Sequence, residues 1–172
     1  MKTLILLMTY FAVTIAAQAE DLAPWQGRWS GTCTPLNYAS STELKPYPMA
    51  LNISKKTTTT HSWQIQYPPQ GPRNYTMIKQ SDLQGKYVLD EHNGLLIDRF
   101  LINRNMTDLY TINGRIFNNS TTLNESGSMI TMNIVSHWAS NPKVTVVNGT
   151  NTQVSSFHLR DRTTCILTKS KE

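Results

Sequence analysis

The side chains with the most catalytic or metal-binding chemistry to offer are four histidines, two cysteines and 11 carboxylates. His61, His92, His137 and His158 are far apart, and none shows the His-x-x-x-His spacing that sets two imidazoles around one zinc ion. No Gly-x-Ser-x-Gly elbow, phosphate-cradling glycine loop or Cys-x-x-Cys pair occurs. Asp90-Glu91-His92 has the composition of an acid–base site, but Asn93-Gly94 follows directly, and a solvated hairpin tip accounts for the same residues. Asp98-Arg99 is more informative. Both charges sit in the otherwise apolar run 95–102. On a strand one of them faces the interior when the other faces water, and a buried charge needs a partner. Asp161 is in a similar position near the C-terminus. An interior charge suits either a structural ion pair or the anchoring of a ligand. An enzyme would need two titratable groups converging in a cleft, and Asp98, Arg99, His137 and His158 are the residues to follow. No catalytic set, metal or cofactor is expected.

Cys33 and Cys165 lie near opposite ends of the chain, and the N-terminus decides how to read them. Lys2 precedes an apolar stretch over 4–13, and Ala17-Gln18-Ala19 follows. This is the pattern of a secretory signal peptide, expected over 1–19, with the alternative of an uncleaved anchor. The stretch is short for a membrane-spanning helix, and no other stretch is apolar enough to span a bilayer. Export into the bacterial periplasm or the extracellular space follows, with residues 20–172 as one soluble domain. In an oxidising compartment two cysteines pair; two reduced buried thiols are the alternative. Without Lys2 the balance is 15 basic against 11 acidic residues, a net +4. The basic residues are scattered, which argues against a nucleic-acid partner. Asn-x-Ser/Thr triplets begin at Asn52, Asn74, Asn105, Asn118, Asn119, Asn124 and Asn148. They are read as turn-rich surface composition, or as glycan acceptors in a eukaryotic secretory pathway.

These residues must be held by strands. Residues 47–55 alternate Tyr47, Met49, Leu51 and Ile53 with Ala50, Asn52 and Ser54; residues 61–67 alternate Trp63, Ile65 and Tyr67 with Ser62, Gln64 and Gln66. A period of two marks half-buried antiparallel strands. Asn93-Gly94 and Asn113-Gly114 are hairpin signals, because both turn residues must accept positive φ. Pro68-Pro69-Gln70-Gly71-Pro72 breaks the chain. The last strand is expected from about 154 to 168. The one stretch open to a short helix is 36–45, which reads equally well as a loop over a barrel mouth. The fold class is all-β: a single antiparallel up-and-down barrel of about 8–10 strands, sequential neighbours pairing throughout.

The two ends close it. With Cys33 opposite Cys165 on antiparallel first and last strands, Trp29 faces Lys169, Gly31 faces Leu167 and Pro35 faces Thr163. Trp29, Gly31 and Cys33 then share a face with Leu167, Cys165, Asp161, Leu159 and Phe157. Gly27-x-Trp29 at the start of the first strand, an all-β meander of this length and a basic strand near the C-terminus resemble the calycin superfamily, the group of lipocalins, fatty-acid-binding proteins and avidins. The resemblance implies that Trp29 closes one end of the barrel and that a basic side chain of the last strand lies across its indole. The register nominates Lys169; Arg160 and Arg162 are the alternatives, arginine being usual in that group. The chain departs from the main lipocalins in lacking the Thr-Asp-Tyr triplet and a pair of lid helices after the first strand.

A barrel of about 8–10 strands is wide enough to hold one small ligand. Alternation points Met49, Leu51, Ile53, Trp63, Ile65, Tyr67, Tyr75, Met77, Met132, Ile134, Phe157 and Leu159 inward. Their aromatic and thioether groups suit an adaptable apolar pocket, and they could equally fill the interior. The leading functional reading is an exported carrier of a small hydrophobic or amphipathic molecule. The others are a secreted protein-binding module or inhibitor with a filled barrel and working loops, and an enzyme with charges at the barrel mouth.

Overall fold

The computed structural model describes residues 21–38, 40–146, 148, 149 and 151–171. The signal peptide expected over 1–19 lies outside the described residues. A 3-10 turn, Ala23–Trp25, leads into β1 (Gly27–Asn37), β2 (Thr42–Glu43), β3 (Tyr47–Lys55), β4 (Thr60–Gln66), β5 (Arg73–Lys79), β6 (Lys86–Asp90), β7 (Leu96–Ile102) and β8 (Asn105–Ile112). There follow β9 (Arg115–Leu123), β10 (Met129–Trp138), the separate hairpin β11 (Lys143–Val146) and β12 (Gln153–Ser156), and β13 (Leu159–Lys169). β1, β3 to β10 and β13 form a closed antiparallel barrel, because β13 pairs both with β10 and with β1. Closure leaves no sheet edge open along these strands. The two-residue β2 pairs with the far end of β1.

The closing seam has the register expected from the cysteines. Trp29 lies opposite Lys169, Gly31 opposite Leu167, and Cys33 opposite Cys165. The two cysteines are disulfide-bonded. Gly31 is demanded by this seam: a Cβ there would collide with the Ile166 carbonyl of β13 and come within 2.9 Å of Leu167 Cα.

Strands run alternately between two ends. One end is sealed. Leu22 and Trp25 of the 3-10 turn cap it, and Trp29, Leu51, Ile53, Trp63, Met77, Tyr87, Leu101, Leu123, Ile130 and Leu167 are fully buried below them. Trp29 donates its indole N–H to the Trp25 carbonyl at 2.9 Å, which ties the cap to β1. Lys169 Nζ lies 5.1 Å from the Trp29 ring centroid. Gly27 makes room for it: at φ +132° it adopts a backbone few other residues accept, and a Cβ there would sit 2.6 Å from Lys169 Cε. The alternative cations are elsewhere. Arg160 stacks on Trp138, and Arg162 donates to Asn133 Oδ1 at 3.0 Å.

The turn at Asn113-Gly114 has φ of 50° and 71°, as an Asn-Gly hairpin requires. A second two-residue turn carries no glycine. Asn103 and Arg104, joining β7 to β8, have φ of 48° and 61°. Left-handed backbone costs roughly 1–2 kcal/mol for such a residue. Arg104 offsets it by donating from Nη1 to the carbonyls of Asn124 (2.8 Å) and Glu125 (2.9 Å) on the neighbouring loop.

Two expectations are corrected. Among the described residues of 36–45 there is no helix: Leu36 and Asn37 belong to β1 and pair with Glu43 and Thr42. The last strand does not run unbroken from 154. Residues 153–156 belong to the protruding β11–β12 hairpin, and β13 begins at Leu159. A register shift between Ser136 and His137 places Leu159 opposite His137 while Asp161 faces Ser136, so Arg160 is the extra residue of a bulge. The alternation that puts Cys165 and Leu167 inside therefore fails beyond Asp161, and Phe157 and Leu159 are 43% and 36% exposed.

Candidate functional site

The half of the barrel away from Trp29 is hollow. It contains a cavity of about 520 Å³, within the range of small-molecule sites. Of the twelve side chains expected to face inward, Met49, Ile65, Tyr67, Tyr75, Met132 and Ile134 line it. Leu51, Ile53, Trp63 and Met77 do not; they pack in the solid half beneath it. Phe157 and Leu159 lie outside, on the rim. Hollow and filled readings of the interior thus apply to different halves of one barrel.

The sequence reading missed most of the far wall. Leu89, Ile97, Tyr110, Phe117, Asn119 and Thr121 also line the cavity. β8 and β9 mix polar and apolar residues on both faces, so composition alone does not mark their inner side. The signal was the turn. A two-residue loop at Asn113-Gly114 sets Ile112 opposite Arg115, which then pairs Tyr110 with Phe117, Asp108 with Asn119 and Met106 with Thr121. Once Met106 is inside, all six are.

Of the Asp98-Arg99 pair, Arg99 is the buried member, and Asp98 lies outside, 3.6 Å from Lys86 Nζ. Arg99 donates from Nε to Asp108 Oδ2 at 2.7 Å. The other carboxylate oxygen, Oδ1, accepts from Asn119 Nδ2 at 2.7 Å. The guanidinium also lies 5.5 Å above the Trp63 ring and 3.7 Å from Met106 Sδ. Arg99, Asp108 and Asn119 are all buried, so this is a compensated ion pair on the cavity floor. Asp161 is met by a different device, accepting from the buried Ser136 hydroxyl at 2.6 Å.

Nearer the mouth, Arg73 lies 5.2 Å above the Tyr67 ring and donates to Gln70 Oε1 at 3.0 Å. Glu91 also lines the mouth. Asp90 and His92 form the tip expected of the hairpin: Asp90 Oδ1 accepts from the His92 backbone N–H at 2.8 Å. Burial pushes the phenols of Tyr47, Tyr75 and Tyr110 above their ordinary range. Tyr67 adds to this at Tyr47, while Thr163, Arg73 and Asn119 respectively pull the three back. All three are uncharged hydrogen-bonding groups at neutral pH. His137 and His158 are not part of the cavity wall. Among the described residues no group of three or more His, Cys, Asp or Glu could hold a metal ion, and no helix is long and apolar enough to cross a membrane.

The rim carries a separate feature. Trp138 is 41% exposed, with Arg160 at 4.6 Å on its ring and Arg115 at 5.7 Å. Phe157 and Leu159 are also exposed, as are Val144, Val146 and Val154 on the β11–β12 hairpin.

No family model matches the chain, and no curated protein matches it. A solved structure is similar in fold: a protein of unknown function from the DUF3598 family of Nostoc punctiforme, with a TM-score of 0.64 and 9% sequence identity. The match covers 87% of this chain and 49% of that one, so the chain spans about half the length of its structural neighbour. At that identity the likeness is one of fold alone.

Proposed function

We propose that this protein binds one small hydrophobic or amphipathic molecule in the open half of its barrel, and that it is an exported member of the calycin group. The observation that carries the binding reading is the cavity of about 520 Å³ above a solid, sealed floor. A filled scaffold would have no reason to leave that volume empty, since each lining side chain forfeits contacts on its open side. The wall has both qualities such a ligand needs: apolar Met, Leu and Ile surface, and a few fixed polar groups that orient what enters. Export fits the disulfide. The calycin assignment rests on the Gly27-x-Trp29 plug with Lys169 across it.

The test is native mass spectrometry of the purified protein, together with quenching of tryptophan fluorescence on titration with lipids or haem. A bound species of a few hundred daltons at one per chain is the expected result. Absence of any one-to-one complex, co-purified or added, would remove the carrier reading.

A second reading, a module that docks a protein partner through its rim, is favoured by the exposed Trp138 and its apolar neighbours. Fold does not choose between the two. Trp138→Ala separates them: it would spare small-molecule binding and weaken capture of a partner.

A further inference from the structure

We propose that the cavity takes a flat, ring-bearing molecule with no net charge, rather than a chain with an anionic head. This deepens the binding-protein reading and rests on it. Two independent observations carry it.

The first is charge. Arg99, on the cavity floor, is already neutralised by Asp108 at 2.7 Å, and Asn119 occupies the second carboxylate oxygen. A ligand carboxylate entering there would have to displace Asp108 or sit beside it. Like charges in a low-dielectric interior repel strongly, and a displaced Asp108 would lose the cation it is paired with. At the mouth Arg73 and Glu91, one charge of each sign, line the same opening. The phenols of Tyr47, Tyr75 and Tyr110, buried or half-buried, add hydrogen-bonding capacity without charge. The floor therefore offers dipoles and aromatic surface around a cation that already has its counter-charge.

The second is shape. Tyr47 and Tyr67 form a tilted pair, with centroids 6.1 Å apart, on β3 and at the end of β4. Tyr110 and Phe117 form a stacked pair, at 5.2 Å, on β8 and β9. Around the barrel β5, β6 and β7 separate the two pairs on one side, and β10, β13 and β1 separate them on the other. The pairs therefore face each other across the cavity, three strands apart either way. Two aromatic pairs on opposite sides of one cavity offer ring faces and edges, which a ring system meets by offset or edge-to-face packing. A flexible chain would meet the same walls only at the cost of its rotamer freedom.

The test uses two probes of the same ring skeleton, N-phenyl-1-naphthylamine (neutral) and 1-anilinonaphthalene-8-sulfonate (anionic), with 1-dodecanol as an uncharged chain competitor. Fluorescence titration of the full protein is expected to show one site, with the neutral probe bound about tenfold or more tightly than the anion, and displaced by dodecanol about tenfold less well than by unlabelled naphthalene derivatives. Asp108→Asn leaves Arg99 uncompensated, and the neutral-to-anion ratio should then fall by about tenfold. If that variant does not fold, the wild-type ratio decides the matter alone. Equal or tighter binding of the anion by the wild type, or dodecanol competing as well as the ring compounds, overturns this proposal and leaves the carrier reading standing. Failure of every probe to bind one-to-one overturns both.

Discussion

Two buried polar side chains behave in opposite ways, and each makes a prediction. Arg99 is compensated by Asp108 and Asn119. Removing one partner of such a pair strands a buried charge, so Asp108→Ala should cost about 3–5 kcal/mol by urea denaturation. Replacing both partners with apolar residues of similar volume should cost much less than the sum of the single changes. A double-variant cost equal to the sum of the two single costs would mean that the pair is not coupled. His61 is uncompensated: it is buried on β4, and neither ring nitrogen has a hydrogen-bond partner. Burial lowers its pKa, with Lys55 and Lys79 adding to the effect and Asp21 opposing it. The unfolded chain, with an ordinary imidazole pKa of about 6.5, therefore takes up the proton first. The stability this group contributes is fully present above that pH and is lost as the pH falls below it, until His61 protonates in the folded state. The thermal midpoint of the wild type should consequently drop relative to that of His61→Leu between about pH 7 and pH 5. A gap that stays constant over that range would contradict the assignment.

At the scale of elements, β1 is the strand that the barrel depends on, because it closes the sheet, carries the end plug and holds the disulfide. Cutting the Cys33 to Cys165 link, which spans 132 residues of sequence, should cost up to about 5 kcal/mol on the chain-entropy account. Thermal unfolding of the Cys33→Ser, Cys165→Ser variant in oxidising buffer measures it, and an unchanged midpoint would show that the seam needs no covalent tie. Gly31→Ala should be worse than its size suggests, since its Cβ would meet β13 backbone rather than a side chain that can move. Most of this element was legible in the sequence. Two cysteines fixed a register, and the register put Lys169 opposite Trp29. What could not be read was the point where alternation stops. The bulge at Arg160 and the departure of β11 and β12 as a hairpin leave no mark in a period-two pattern, so Phe157 and Leu159 were assigned to the inside. The same limit hid Asp108 and Asn119: polar residues inside a barrel look like the outer face of a strand until pairing fixes their side.

The whole molecule is a barrel of two halves with different physics. In the sealed half, tryptophans, aliphatic side chains and Met77 fill the interior to the density of a core, and this half supplies stability. In the open half a compensated ion pair and two aromatic pairs surround empty volume. The division explains why inward-pointing residues alone could not decide between carrier and scaffold: the residue pattern is continuous along each strand, whereas filling depends on whether side chains from opposite walls meet. The open half is, on this proposal, a site for one small molecule. Ile134→Trp tests it most directly, because Ile134 lines the cavity and a larger ring there would occupy it without touching the sealed half. Titration with N-phenyl-1-naphthylamine should give one site per chain in the wild type and at least about a tenfold loss of affinity in this variant, with the unfolding midpoint little changed. Binding of the probe to the filled variant with wild-type affinity and stoichiometry would contradict the account.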